Sequence, residues 1–364
     1  METDILHVIA RMNVGGTARY VGELIENIPR SRLACGFVQG SELEDSCLQN
    51  LDVIRVPSLG RKISIVKDLL AWIELKRIVK KEKPSIIHTH TFKAGMIGRL
   101  IPGEHKLVHT FHGHLFDDQS FSSFQKFSIR LIEKILARRT DLLISVGEKV
   151  GREIREAGIG VGENWGSISP GVTALPKYSK SKARKALGLT ETGKLVGWMA
   201  RMTEVKNPFR LLEISRSMPN VNFVMAGGGN LLELVRQYAP SNVHIIGWTD
   251  ASQFWSAIDC VVSTSDNEGM PIALIEAQLA SLPVVCTNAG SSEEVILDGV
   301  TGYVRERNAL DLKEALEKVI YDESLIKAMG AKGRSHATEK FSLKKMISLH
   351  KYYYGNLISN SKPN

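Results

Sequence analysis

The strongest constraint in this sequence is a rhythm: short apolar runs alternate with amphipathic helical patterns, and the alternation runs twice through the 364 residues. The first pass predicts strands over 5–10, 34–39, 53–56, 85–89, 107–110 and 141–146, separated by helices over 18–27, 64–81, 93–100, 122–137 and 149–157. Apolar runs bounded by turn residues, each followed by a helix, describe strands buried on both faces. That pattern requires a parallel sheet with crossover helices. Residues 158–165 read as a loop, and the Lys/Ser-rich stretch 177–185 turns polar, which places a domain junction at about 170–180. The alternation then restarts with strands over 195–200, 222–226, 243–246, 259–263 and 283–286, helices over 208–217, 231–238 and 252–257, and more helix beyond 292. The expected fold class is α/β, built as two doubly wound, Rossmann-like domains facing a cleft. Their bounds are 1–172 and 173–342, and 343–364 forms a C-terminal helix and tail that packs back on the first domain. Met346, Leu349 and Tyr353 give that last helix a packing stripe.

Composition excludes several classes of function. The four cysteines, Cys35, Cys47, Cys260 and Cys286, have no paired spacing, so they read as reduced thiols rather than a disulfide frame or zinc site. The start Met1-Glu2-Thr3-Asp4 lacks a signal-peptide pattern, and no apolar run is long enough to span a bilayer. The net charge of +8 is concentrated: 61–83 holds eight Lys/Arg against three Asp/Glu, and 126–139 holds five against one. Such faces suit anionic lipid or nucleic acid, and equally a solvated helix surface.

The most informative turn is Ser265-Asp266-Asn267-Glu268-Gly269-Met270-Pro271-Ile272, continuing to Glu276. It reads as a strand end, a tight turn at Gly269 and a helix beginning near 270, with Pro271 in the first helical position. The amides of such a first turn, with the positive end of the helix dipole, attract phosphate. Glu268 and Glu276 suit sugar hydroxyls instead, so the combination describes a phosphate carrying sugars on both sides, a nucleotide-sugar. A buried loop with a solvated glutamate fits the same residues. Arg201 directly follows the 195–200 strand and Lys206 stands five residues later. Together they can neutralise a leaving diphosphate without a divalent cation, in a chain that has no Asp-x-Asp.

Glycine turns follow two other strands. Gly15-Gly16 would let the backbone approach a diphosphate or an acceptor closely. Gly227-Gly228-Gly229 fails as a dinucleotide fingerprint because Leu232 stands where a third small residue belongs. His112, beside Gly113 after the 107–110 strand, can hydrogen-bond a sugar hydroxyl or handle a proton, whereas His109 reads as a core residue and zinc lacks an identifiable third ligand. Gly247-Trp248 can seat a base. Ser291 to Glu294 has the spacing of a helix-capping box.

Taken together, the Gly15-Gly16 turn, Phe92-Lys93-Ala94-Gly95, Thr110-Phe111-His112-Gly113-His114, Arg201 with Lys206, Glu268 with Glu276, and Asp298-Gly299-Val300-Thr301-Gly302 resemble family 4 glycosyltransferases, retaining enzymes of the GT-B fold. The resemblance implies a hexosyltransferase moving a hexose or N-acetylhexosamine from a nucleotide-sugar, UDP-linked, to a sugar acceptor in cell-surface polysaccharide assembly. It implies that Arg201 and Lys206 hold the diphosphate, aided by backbone amides in the turn Gly269-Met270-Pro271-Ile272. Glu276 would bind the ribose diol, Glu268 the donor sugar and its anomeric charge, His112 the sugar's hydroxyl side, Gly15 and Gly16 the phosphate and acceptor, and Gly247 and Trp248 the base. The implied catalytic set is Glu268, His112, Arg201 and Lys206, with no metal and no cofactor. Gly290-Ser291 stands where the family often has two glycines. The expected partners are the nucleotide-sugar, a lipid-linked or oligosaccharide acceptor and an anionic membrane surface, not nucleic acid. The expected location is the cytoplasm, peripheral on the inner face of the cytoplasmic membrane. A sugar-nucleotide epimerase of the same architecture, or a non-catalytic nucleotide-sugar sensor, are the alternatives.

Overall fold

A computed structural model describes residues 4–40, 43–60, 63–113 and 122–359. The chain forms two compact units: one combines the residues up to Gly171 with those from Leu343 onward, and the other is Val172–Ser342.

The first unit holds seven strands: β1 Ile5–Ile9, β2 Ser31–Cys35, β3 Val53–Arg55, β4 Ile86–His90, β5 Lys106–Phe111, β6 Leu142–Ser145 and β7 Trp165–Ser167. They lie in the order β3-β2-β1-β4-β5-β6-β7, and all pair in parallel. Helices α1 Gly16–Asn27, α2 Ile65–Glu82, α3 Thr91–Gly98, α4 Ser123–Ala137 and α5 Glu148–Glu156 make the crossovers. The central strand β1 shows why the sheet must be covered on both faces. Leu6 and Val8 pack with Ala71, Leu75, Ala94 and Ile97 of α2 and α3, while Ile9 packs with Ala18, Val21 and Ile25 of α1. Each such buried aliphatic side chain stabilises the fold by about 1.5–3 kcal/mol.

The second unit repeats the plan. Helix α6 Lys180–Ala186 leads to β8 Leu195–Met199, α7 Pro208–Ser217, β9 Asn222–Ala226, α8 Leu232–Tyr238, β10 Val243–Gly247 and α9 Ala251–Ala257. β11 Cys260–Ser263, α10 Ile272–Leu279, β12 Val284–Thr287, α11 Ser292–Val295, β13 Gly302–Arg305, α12 Ala309–Ile320 and α13 Glu323–Lys340 complete it. The parallel order β10-β9-β8-β11-β12-β13 reverses direction between β8 and β11, as the first sheet does between β1 and β4. At such a reversal the crossover helices go to opposite faces and leave a crevice beyond the strands' carboxyl ends. The last helix, α14 Leu343–Ser359, belongs to the first unit and buries Met346, Ile347, His350 and Tyr354 there.

Four elements depart from the sequence expectation. β2 begins at Ser31, not 34, and ends before Gly36, where a Cβ would lie 1.7 Å from the Leu59 carbonyl oxygen. The backbone crossing at Gly36 stops the strand. The Lys/Ser-rich 177–185 contains helix α6, anchored by the buried Arg184, whose guanidinium donates to Asp259 at 2.8 Å and to the Ala257 carbonyl at 2.9 Å. Short strands β7 and β13 were not predicted. Both lie at sheet edges, where three or four residues carry little periodicity. The four cysteines are free, and among the described residues no helix is long and apolar enough to cross a membrane.

Candidate active site

In the second unit, the turns after β8 and β11 are stitched together at the sheet's reversal point. Asp266 N–H donates to Val205 O at 2.8 Å, and Thr264 Oγ1 donates to Lys206 O at 3.0 Å while accepting from Trp198 Nε1 at 2.9 Å. Arg210 reaches back from α7 to Asp266 at 2.7 Å and to Thr264 O at 2.6 Å. Asn207 holds a left-handed conformation, φ 46°, caps α7 with its side-chain oxygen, and donates to Asp266 at 2.9 Å. This lattice fixes the short 3₁₀ turn Glu204–Lys206.

Its product is an ion pair. Lys206 Nζ lies 2.5 Å from Glu268 Oε1, and Ser265 Oγ donates to the same oxygen at 2.8 Å. The two charged side chains retain 19% and 12% of their exposure, so ligand can reach them. Each holds the other in place. A diphosphate would draw Lys206 away and release Glu268 to a sugar, which couples the two roles expected for these residues.

Helix α10 begins at Ile272, so Pro271 is the cap residue, φ −78° and ψ 89°, and not the first helical residue. Its carbonyl accepts from Leu274 at 3.0 Å, and the amides of Ile272 and Ala273 come before any intrahelical bond can serve them. Glu276 is buried on α10 and accepts from Trp255 Nε1 at 3.2 Å, which orients its carboxylate. Gly290, at φ +51°, presses on this turn: a Cβ there would lie 1.8 Å from Glu268 O, and Ser291 N–H donates to Gly269 O at 3.0 Å. Ser291 stands at the cap of α11, but its side chain makes no capping bond and its buried Oγ has no partner, so the Ser291–Glu294 capping box does not form. Gly290→Ala combines a positive φ with a backbone clash. It is expected to destabilise the protein by more than about 1 kcal/mol, read as a drop of a few degrees in thermal midpoint.

The Gly227–Gly229 turn serves backbone packing. A Cβ at Gly227 would lie 2.0 Å from Ala200 O and one at Gly229 2.4 Å from Met202 O, so the turn braces the segment bearing Arg201. Trp248, half exposed after β10, lays its indole against Gly228, where a Cβ would lie 2.6 Å from Nε1. Arg201, Lys206, Gly247, Trp248, Glu268, Gly269, Met270, Pro271, Ile272 and Glu276 all belong to this unit. Gly15, Gly16 and His112 belong to the other.

There Gly15 caps α1 at φ 153°, a conformation that favours glycine. His112 follows β5, and its Nε2 lies 3.1 Å from His90 Nδ1. His114 lies outside the described residues. Behind His112 is a cluster that sequence reasoning missed. In register, His7 of β1 stands beside His88 of β4, and His90 lies two residues on, on the same face. The signal was present in Ile86-Ile87-His88-Thr89-His90, two histidines at strand spacing. From α14, His350 and Tyr354 cover the cluster: Tyr354 OH lies 2.6 Å from His88 Nδ1, and His350 Nε2 lies 3.1 Å from the Tyr20 hydroxyl. Tyr20 stands edge-on to His112, ring centroids 4.9 Å apart.

Burial holds all these imidazoles neutral. His7 and His112 are pushed down to about 3 by desolvation and then by His350, and His350 to about 4 by desolvation. His88, His90 and His109 lie well below the ordinary imidazole range, with burial again the leading cause. His7, His88 and His90 bring ligand atoms within 4.8 Å of one another, but both nitrogens of His88 and of His90 already face hydrogen-bond partners. A metal would have to break those bonds, so the cluster reads as a hydrogen-bonded network.

Residues 14–172 match the family model described as Glycosyltransferase Family 4, and residues 179–336 match the one described as Glycosyl transferases group 1. The chain is similar to the UDP-Gal:alpha-D-GlcNAc-diphosphoundecaprenol alpha-1,3-galactosyltransferase of Escherichia coli, with 26% identity over 98% of this chain and 97% of that protein. It is also similar to the capsular polysaccharide biosynthesis glycosyltransferase CapM of Staphylococcus aureus, with 24% identity over 80% and 82% of the two chains. Its fold is shared with Anabaena HepE, solved in complex with UDP and glucose: TM-score 0.84 and 18% identity, covering 98% of this chain and 100% of that one.

Proposed function

Because the chain belongs to the family 4 glycosyltransferases of GT-B fold, we propose that it moves a hexose or N-acetylhexosamine from a UDP-linked donor to a lipid-linked sugar acceptor, with retention and without a metal ion. The observation that carries this reading is the Lys206–Glu268 pair at the reversal point of the second sheet, beside the amide-rich start of α10. Support outside the chain comes from the E. coli relative, named for a UDP-Gal donor and a diphosphoundecaprenol acceptor.

In this mechanism Arg201, Lys206 and the first-turn amides of α10 take the charge that develops on the diphosphate. Glu276 holds the ribose diol. Glu268 stabilises positive charge at the anomeric carbon as its bond to the diphosphate oxygen breaks. The acceptor oxygen bonds to that carbon from the side the diphosphate leaves, and its proton passes to a phosphate oxygen, so UDP departs protonated and the anomeric configuration is kept.

The first unit's basic helices support attachment to an anionic membrane. Helix α4 carries an exposed stripe of Phe124, Phe127, Leu131 and Ile135 opposite its buried Ile129 and Leu136, with Lys126, Arg130 and Lys134 between. Helix α2 exposes Ile65, Val66, Leu69 and Leu70. Apolar stripes flanked by Lys and Arg describe a peripheral docking face. Binding to phosphatidylglycerol-containing vesicles is expected to fall as salt rises and to weaken on Phe124→Ser/Phe127→Ser. Failure to bind at any ionic strength removes this part of the proposal.

The transfer reading is tested with a panel of labelled UDP-sugars and lipid-diphosphate-linked acceptors, with and without a chelator. The expected product is an acceptor extended with the donor's anomeric configuration, undiminished by chelation. A changed nucleotide-sugar formed without acceptor identifies an epimerase, and donor binding without turnover identifies a sensor.

A further inference from the structure

Three imidazoles form a chain. His7 Nδ1 faces His90 Nε2, and His90 Nδ1 faces His112 Nε2, each at 3.1 Å. A neutral imidazole has one N–H and one lone pair, and each hydrogen bond needs one of each. The protons must therefore point the same way along the chain, which leaves two arrangements. Either every ring is protonated on Nδ1, or every ring is protonated on Nε2.

The buried end decides between them. His7 Nε2 is buried and has no hydrogen-bond partner. With the rings protonated on Nε2, that atom would be an N–H stranded without an acceptor. With the rings protonated on Nδ1, it is only an unused lone pair. Orphaned buried donors are the rarer and costlier of the two. His109 gives an internal precedent. Thr89 Oγ1 donates to Val108 O at 3.2 Å, so at 2.8 Å it must accept from His109 Nδ1–H, and the atom left buried without a partner is the Nε2 lone pair.

The opposite end is His112, at the turn after β5. Its Nε2 faces His90, which leaves Nδ1 as the ring nitrogen not engaged in the chain. We propose that His7 and His90 are positioning residues that hold His112 in the Nδ1–H tautomer, so that the turn after β5 presents a hydrogen-bond donor, and not a base, to a sugar hydroxyl. The part played by the sugar rests on the transfer reading above; the tautomer does not. A donor at this position cannot remove the acceptor's proton, which agrees with a phosphate oxygen taking it. Desolvation of the chain keeps His112 uncharged, so its N–H adds polarity without adding charge.

The test is the tautomer itself, read in full-length protein labelled with ¹⁵N-histidine by long-range ¹⁵N–¹H correlation, which distinguishes a protonated ring nitrogen from one with a lone pair. His112 is expected to be protonated on Nδ1 and not on Nε2. Finding Nε2–H in the unmodified protein overturns the proposal, whatever any variant does. His90→Asn keeps an amide donor near the position of Nδ1 and is expected to preserve both tautomer and transfer. His90→Leu removes the donor; His112 should then populate both tautomers, and kcat for transfer should fall about 10-fold. A His112 that stays wholly Nδ1-protonated in His90→Leu also overturns the relay. Because the spectrum needs no substrate, failure of the transfer reading leaves this measurement intact.

Discussion

Lys206→Ala should lower sugar transfer by about 10²–10³-fold, through both kcat and the donor KM. The substitution removes a cation from the leaving diphosphate and also strips Glu268 of its partner at 2.5 Å, leaving a carboxylate to repel the phosphates. Glu268→Gln should cost kcat on the same scale while donor affinity is kept or improved, because Lys206 no longer has to leave an ion pair to meet the diphosphate. That split separates the two roles. Steady-state kinetics with donor dissociation constants from calorimetry would show it, and a Glu268→Gln protein with kcat within about threefold of the unmodified enzyme would remove Glu268 from the chemistry.

Acid should unfold the first unit unusually early. His7, His88, His90, His109 and His350 are fully buried and neutral, with folded-state pKa values of about 3 for His7, about 4 for His350 and well below the ordinary range for the other three. In the unfolded chain they regain an ordinary pKa near 6.5. Their contribution to stability is therefore complete above pH about 6.5 and is lost as pH falls toward the folded-state values, because the unfolded chain binds more protons in that window. Each buried imidazole costs up to about 1.4 kcal/mol per pH unit below 6.5. Five together reach the whole stability of a typical domain, about 5–15 kcal/mol, within roughly two units. Circular dichroism against pH should show cooperative loss of structure near pH 5, and a protein fully folded at pH 4 would contradict it. Replacing His7 by Phe should shift the midpoint to lower pH if the cavity accepts the ring.

The candidate site of the second unit was largely legible in the chain because it is local. Arg201, Lys206 and Glu268 each follow closely on a strand end, Glu276 stands in the helix that comes next, and parallel α/β sheets place their ligands at strand ends. Gly290 was visible as a turn glycine, but its reason, contact with the Glu268 carbonyl, lies between segments more than twenty residues apart. The imidazole network was hidden for the same reason. His7, His88 and His350 are scattered along the chain, each alone reads as an ordinary core or surface histidine, and only His112 stood out as a candidate site residue.

The sequence by itself determined the class of fold, two parallel sheets with crossover helices, because period and turn residues act over a dozen positions at most. It also singled out the candidate turns for a nucleotide-sugar. Only the tertiary structure decided how those turns are held. Strand register set His7 beside His88 and His90, the return of α14 closed them from water, and the two stitched turns drew Lys206 onto Glu268. Register and packing depend on contacts between distant segments, and burial, which sets the charge of every histidine in the network, exists only once those segments have met.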